Sequence, residues 1–227
     1  MNDFRKNGLV EKAVEVDDGE LGLINRQSLK KLSAGEVFAF RLVACDTQVD
    51  RDWEHFTHEA LEEMAKRYIG RPLLRDHNWS ASAQIGRVYA SAVEPVDDGE
   101  RLVLRAYMVR SAGTEDTISA IEAGILREAS VGVSCRSAVC DICGTDKARR
   151  FCKHTPGAVY DGKRCAVALG DVADTYEVSL VAVPSQRAAG VIKAYGGEEN
   201  KPEPEKPPAD EEKQKALALL ELEKNRF

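Results

Sequence analysis

Two short apolar runs, ASVGVSC over 129–135 and TYEVSLVAV over 175–183, constrain the fold more than anything else in the chain. The first is made of small and β-branched residues, as a buried strand requires. The second alternates Tyr176, Val178, Leu180 and Ala182 against Glu177, Ser179, Val181 and Val183, which is the period of a strand, and Pro184 stops it. Between them lies a stretch of different character, residues 136–166, rich in Cys, Lys, Arg and Gly.

The preceding sequence supplies further strands and two helices. In EVFAFRLVAC, Phe38, Phe40, Leu42 and Ala44 share one face of a strand. Thr57 is placed to cap a helix with Leu61, Met64, Ala65 and Tyr68 on one side and Gly70 at its end. Residues 85–93 and 101–109 read as two strands joined by a turn through Pro95, Asp97, Asp98 and Gly99. Thr114 is placed to cap a second helix, with Glu115 and Asp116 in its first turn, Ile118 and Ile121 inward, and Gly124 at its end. Strands at meander spacing with two helices predict an α+β domain or an antiparallel β-barrel with packed helices, not a βαβ wound sheet.

After Tyr195 the composition changes. GGEENKPEPEKPPADEEK has almost nothing apolar to bury and predicts a disordered, solvated linker. KALALLELEK beyond it predicts a short helix with Leu217, Leu219 and Leu220 available for one face. The expected organisation is an N-terminal extension over 1–34, a domain over 35–195 that contains the Cys-rich insertion, and a linker with a short C-terminal helix over 196–227.

Charge and hydropathy exclude several functions. A net charge of −6 argues against a generally basic surface, so direct nucleic-acid binding is not expected of the chain as a whole, although a local patch is left open. The first twenty residues hold no continuous apolar run of the kind a signal peptide needs. No stretch approaches the ~18 apolar residues of a membrane-spanning helix. A cytoplasmic setting follows, where six cysteines point to free thiols or a metal site more than to disulfides.

Three places can carry chemistry. His77, in RPLLRDHNW, is the histidine left as a general base once His55 and His58 are placed at a helix start and His154 among cysteines; it also fits a hydrogen-bonded loop histidine. Ser130, in REASVGV, needs an adjacent base to become a nucleophile, and Gly132 beside it allows close approach; it also fits a small strand residue with a satisfied hydroxyl. Ser134 and Ser179 are the fallback serines. Glu177, a carboxylate on an apolar strand, is suited to holding an imidazole in one tautomer, with Asp174 and Asp76 as rivals; it also fits a glutamate on an exposed strand face. In the insertion, Cys140 and Cys143 form a C-x-x-C followed by Gly, the shape of a zinc knuckle, and Cys152 with His154 completes four S/N ligands for a structural Zn2+; Cys165 or Cys135 could replace either member of the Cys152–His154 half. Four protein ligands leave no open position for catalysis.

Taken in order, CDTQVDRDWEHFT, GRPLLRDH, IGRV, a helix ending in Gly124, SVGV and EVSLVAVP resemble the prohead serine proteases of tailed phages, whose fold is similar to that of the herpesvirus assembly proteases. The resemblance covers residues 35–195. It implies an antiparallel barrel and peptide hydrolysis with Ser130 as nucleophile, His77 as base and Glu177 as the third member. It also implies phage scaffold and major capsid proteins as substrates, action inside the assembling prohead in the host cytoplasm, and room for a homo-oligomer. The Cys-rich insertion departs from the simplest family pattern. A non-catalytic head-assembly protein of the same fold, or a zinc-dependent binding module, are the competing readings.

Overall fold

The computed structural model describes residues 2–182. In chain order these form β1 (Asn2–Val14), α1 (Asp18–Asn25), β2 (Val37–Asp46), β3 (Glu54–Phe56), α2 (His58–Tyr68), β4 (Pro72–Arg75), β5 (Gln84–Val96), β6 (Gly99–Val109), α3 (Glu115–Glu122), β7 (Glu128–Cys140), the small pair β8 (Val159–Tyr160) and β9 (Lys163–Arg164), and β10 (Val167–Leu180). The main sheet runs β10-β4-β5-β6-β2-β1-β7, and β7 pairs back onto β10, so these strands close a barrel; β3 adds to the first residues of β10. Pro184 and the linker and helix expected over 196–227 lie outside the described residues.

The interior is filled by alternate side chains, as the period of two demands. Phe38, Phe40, Leu42 and Ala44 of β2, Leu102, Leu104, Ala106 and Met108 of β6, and Ala129, Val131, Val133 and Cys135 of β7 join one buried cluster. Leu61, Met64, Ala65 and Tyr68 on one face of α2 enter the same cluster. Thr57 caps that helix by accepting from the Ala60 N–H at 3.2 Å, as its sequence position predicts.

Four expectations are corrected. Residues 1–34 are not a mere extension: β1 stands between β2 and β7 in the barrel, and α1 supplies Ile24 to a second buried cluster with Val37, Ala39, Tyr89 and Tyr107. The barrel is not wholly antiparallel, because β10 runs parallel to both β3 and β4. The hairpin strands run further than 85–93 and 101–109, leaving Asp97 and Asp98 as the turn and Pro95 within β5. Thr114 stands at the N-cap of α3 without capping it: its hydroxyl oxygen instead accepts from the Ser111 N–H at 3.1 Å, and the hydroxyl donates to the Val109 carbonyl at 2.6 Å.

The parallel closure is what brings distant segments to the functional face. β10 is long enough to pair with β7 along one edge while its two ends take β3 and β4 on the other: Val167–Leu169 against Glu54–Phe56, and Val178–Leu180 against Leu73–Arg75. α2 links β3 to β4 across the interval, and Arg67 donates to the Ala173 carbonyl there at 3.2 Å. Register shifts between Val172 and Asp174 and between Thr175 and Glu177 re-aim the strand, which is the usual consequence of a bulge.

Candidate active site and thiol cluster

Cross-strand partners in an antiparallel ladder share a face. Ser179 of β10 stands opposite Ser130 of β7, and Glu177 opposite Gly132. Val178 and Leu180 point into the core, so the face with Ser130, Glu177 and Ser179 is the other one. All three of those polar residues are nonetheless buried, Ser130 at 2% exposure. A Cβ at Gly132 would lie 2.8 Å from Glu177 Oε1; the glycine makes room for the carboxylate. The Gly132 carbonyl accepts from the Tyr68 hydroxyl at 2.8 Å, which ties the floor of the site to α2. Burial, with the negative charge of Glu177 among the smaller causes, pushes the Tyr68 phenol well up and keeps it neutral.

His77 reaches this face because β4 lies beside the end of β10. After Arg75 the chain turns sharply, with Asp76 and His77 both left-handed (φ 51° and 53°) and the Asp76 N–H donating to the Leu180 carbonyl at 3.0 Å. Left-handed residues other than glycine are uncommon and persist where surrounding contacts impose them. Here the His77 N–H donates to Ser179 Oγ at 3.2 Å, and His77 Nδ1 lies 2.8 Å from Glu177 Oε1. The other carboxylate oxygen accepts from the Ser179 hydroxyl. Glu177 is thus divided between the imidazole and Ser179. Its side chain is 3% exposed and that of His77 13%. A buried carboxylate at this distance makes Nδ1 the protonated nitrogen and leaves the Nε2 lone pair as the basic one.

The structure therefore brings His77 and Glu177 into contact and sets Ser130 on their face, two ladder positions from Gly132. The rival carboxylates are occupied elsewhere or open to water: Asp174 pairs with Arg71 at 2.5 Å, and Asp76 is exposed in the turn. Ser134 faces Asp174 across the ladder. Ser179 is the participant that residue-by-residue reading gave no role beyond that of a substitute nucleophile; its signal was its spacing, two residues from Glu177 on one strand. A cleft of about 390 Å³ opens beside the carboxylate, lined by Arg71, Pro72, Leu74, Trp79, Tyr176 and Glu177 among others. Trp79 and Tyr176 pack against each other in its lining, ring centres 5.6 Å apart and tilted by 47°.

A second constellation lies in the insertion. The ligand atoms of Cys140, Cys143, Cys152 and His154 all fall within 4.8 Å of one another and can hold a metal ion. Cys143 Sγ is 3.6 Å from Cys152 Sγ, and His154 Nδ1 is 3.6 Å from Cys152 Sγ and 3.8 Å from Cys140 Sγ. Tetrahedral arms of about 2.3 Å give edges of about 3.8 Å, so the spacing fits a four-coordinate ion. The turn is held by the Cys140 N–H on the Thr145 carbonyl and the Gly144 N–H on the Cys140 carbonyl, with Gly144 at φ 70°. A hydrogen bond with Thr145 is the main cause that lowers the Cys143 thiol to about 6. Cys165 lies 3.8 Å from Cys140 Sγ but outside the group of four, and burial pushes its thiol up to about 11. Cys135 is buried in the barrel interior. The insertion is fastened to the barrel by His55 Nε2 at 3.2 Å from Asp141 and by the Arg164 guanidinium 4.8 Å above the Trp53 ring.

Among solved structures the chain is similar to the bacteriophage T4 capsid assembly protease gp21, with a TM-score of 0.43 and 11% identity, over 80% of this chain and 98% of that one. No protein-family model matches the sequence, and no curated protein matches it.

Proposed function

We propose that the chain is a serine endopeptidase that processes scaffold and capsid polypeptides, and itself, during maturation of a phage head. The observation that carries this reading is the buried His77–Glu177 pair at 2.8 Å on the sheet face that bears Ser130. The order of motifs over residues 35–195 supplies the polypeptide class. In the proposed reaction Ser130 Oγ attacks the scissile carbonyl while His77 Nε2 takes its proton. The same nitrogen returns that proton to the leaving amine, and water then resolves the acyl-enzyme by the reverse sequence of proton moves. Glu177 accepts from Nδ1–H throughout and stabilises the imidazolium. Backbone N–H donors at the oxyanion contribute about 3 kcal/mol each. The substrate strand would enter by the cleft beside Trp79 and Tyr176.

The metal in this reading is a structural Zn2+ on Cys140, Cys143, Cys152 and His154. Bound there it would supply folding free energy to a segment with almost no apolar core of its own, and no catalytic step. One observation favours the competing reading of a non-catalytic head-assembly protein: the near-complete burial of Ser130.

A fluorophosphonate probe, which reacts with activated serines, separates the two. The enzyme reading expects covalent labelling that is lost in Ser130→Ala and in His77→Ala while both variants keep their melting transition. An intact parent that takes no label, or a Ser130→Ala protein that labels as well as the parent, would overturn it.

A further inference from the structure

We infer that the exposed face of the Cys-rich insertion binds single-stranded nucleic acid, with Phe151 as a stacking platform and Arg150 and Lys153 as the leading phosphate contacts. The net charge of −6 conceals a strong segregation: residues 147–164 contain six Lys and Arg and a single acid, Asp161. Ala148, Arg149, Arg150, Phe151, Lys153, Lys163 and Arg164 are all exposed.

The other two acids of the insertion are turned to structural work. Asp146 accepts from the Ala138 and Ala148 N–H groups, both at 3.0 Å, and from Arg149 at 3.2 Å, while Asp141 meets His55. Lys147 and Lys163 are spent on the His154 and Asp141 carbonyls, and Arg164 on Gly157 and Trp53. Arg150 and Lys153 make no ion pair among the described residues, so their charge is open to a ligand.

Phe151 between them is 93% exposed, a large ring presented to water beside Cys152, whose sulfur sits in the thiol cluster. That neighbour fixes the backbone from which the ring projects. Cations alone would suit any polyanion. An aromatic face flanked in sequence by two unpaired cations offers stacking and phosphate contact together, as an unpaired strand uses them, because every base offers a π-face for stacking. A duplex hides those faces, and an acidic peptide has none. The low expectation drawn from overall charge does not reach this local patch.

The test is fluorescence anisotropy of the full, metal-containing chain with labelled oligo-thymidine of about 20 nucleotides. Binding is expected at 50 mM salt, weakening about sevenfold by 200 mM, as two phosphate contacts on a single strand require. Phe151→Ala should weaken it about tenfold with the salt slope unchanged, and Phe151→Tyr should restore it. Arg150→Glu with Lys153→Glu should remove most of the binding and flatten the salt dependence. Metal content and melting temperature establish that each variant is folded. Absence of binding at 50 mM salt, an affinity indifferent to these substitutions, or equal or tighter binding of a duplex or of poly-glutamate would each overturn the inference.

Discussion

Gly132→Ala tests the site through its packing without removing any polar group. A Cβ there would stand 2.8 Å from Glu177 Oε1, and ordinary contact begins at 3.4 Å, so the carboxylate must recede by about 0.6 Å. That same oxygen holds His77 Nδ1 at 2.8 Å. A retreat of this size stretches the bond to about 3.4 Å, beyond the working range of N–H···O hydrogen bonds. The carboxylate cannot swing away freely, because Ser179 holds its other oxygen. Loss of a charge-assisted hydrogen bond of about 1.5–3 kcal/mol converts to about 10- to 150-fold in rate. Overpacking should also cost about 1–3 kcal/mol of stability, or about 2–4 °C in Tm for each kcal/mol in a chain of this size. The assay is the second-order rate of fluorophosphonate labelling, read beside the melting temperature. Glu177→Asp shortens the acid and relieves the clash, so adding Gly132→Ala to it should slow labelling little further, a non-additivity that marks direct contact. If Gly132→Ala alone labels within twofold of the parent while its Tm falls, the position of the carboxylate does not govern the serine, and the reasoning fails.

Ser179→Ala removes a donor to Glu177 and the acceptor of the His77 N–H, and should slow labelling about fivefold to tenfold without abolishing it; complete loss would make Ser179 the nucleophile. The chain purified under reducing conditions should carry one zinc, and replacing Cys140 and Cys143 with Ser should lower Tm and metal content together; a zinc content near zero in folded protein would refute the site. In metal-free protein, thiolate is the reactive form, so iodoacetamide should modify Cys143 with a rate that rises as pH climbs through about 6, while Cys165, near 11, stays unmodified at neutral pH. Equal rates for the two thiols at pH 7 would contradict the arrangement of the cluster.

The fold was legible where a segment has one apolar face and illegible where partners supply the pairing. Phe38, Phe40, Leu42 and Ala44 repeat every second residue and bury as one face, and α2 announces itself through Thr57, its apolar stripe and Gly70. The strand β1, NDFRKNGLVEKAV, has no such pattern: its place depends on backbone pairing to β2 and β7, which composition does not record. The same is true of the parallel contacts of β10. A strand that takes three partners on two edges looks in sequence like any alternating run, because the bulges that re-aim it require no special residue type.

In the candidate site the three named side chains were legible to different depths, for a reason visible in the ladder. Glu177 drew notice because a carboxylate among Tyr176, Val178 and Leu180 needs a reason to be there, but the pattern alone fitted an exposed strand face equally well. His77 emerged by elimination among four histidines, and nothing local encodes the left-handed turn at Asp76 that aims it. Ser130 is a small residue among small residues, and only the order of motifs around it singled it out. Gly132 was read as room for an approaching chain, whereas it is room for a side chain already present: the oxygen of Glu177 lies where its Cβ would crowd it. The coupling of these four positions resides in the register of β7 against β10. Shifting that register by one residue would turn Ser130 toward the core and set Val131 beside Glu177, so the bulge between Thr175 and Glu177 belongs to the site as much as any side chain does.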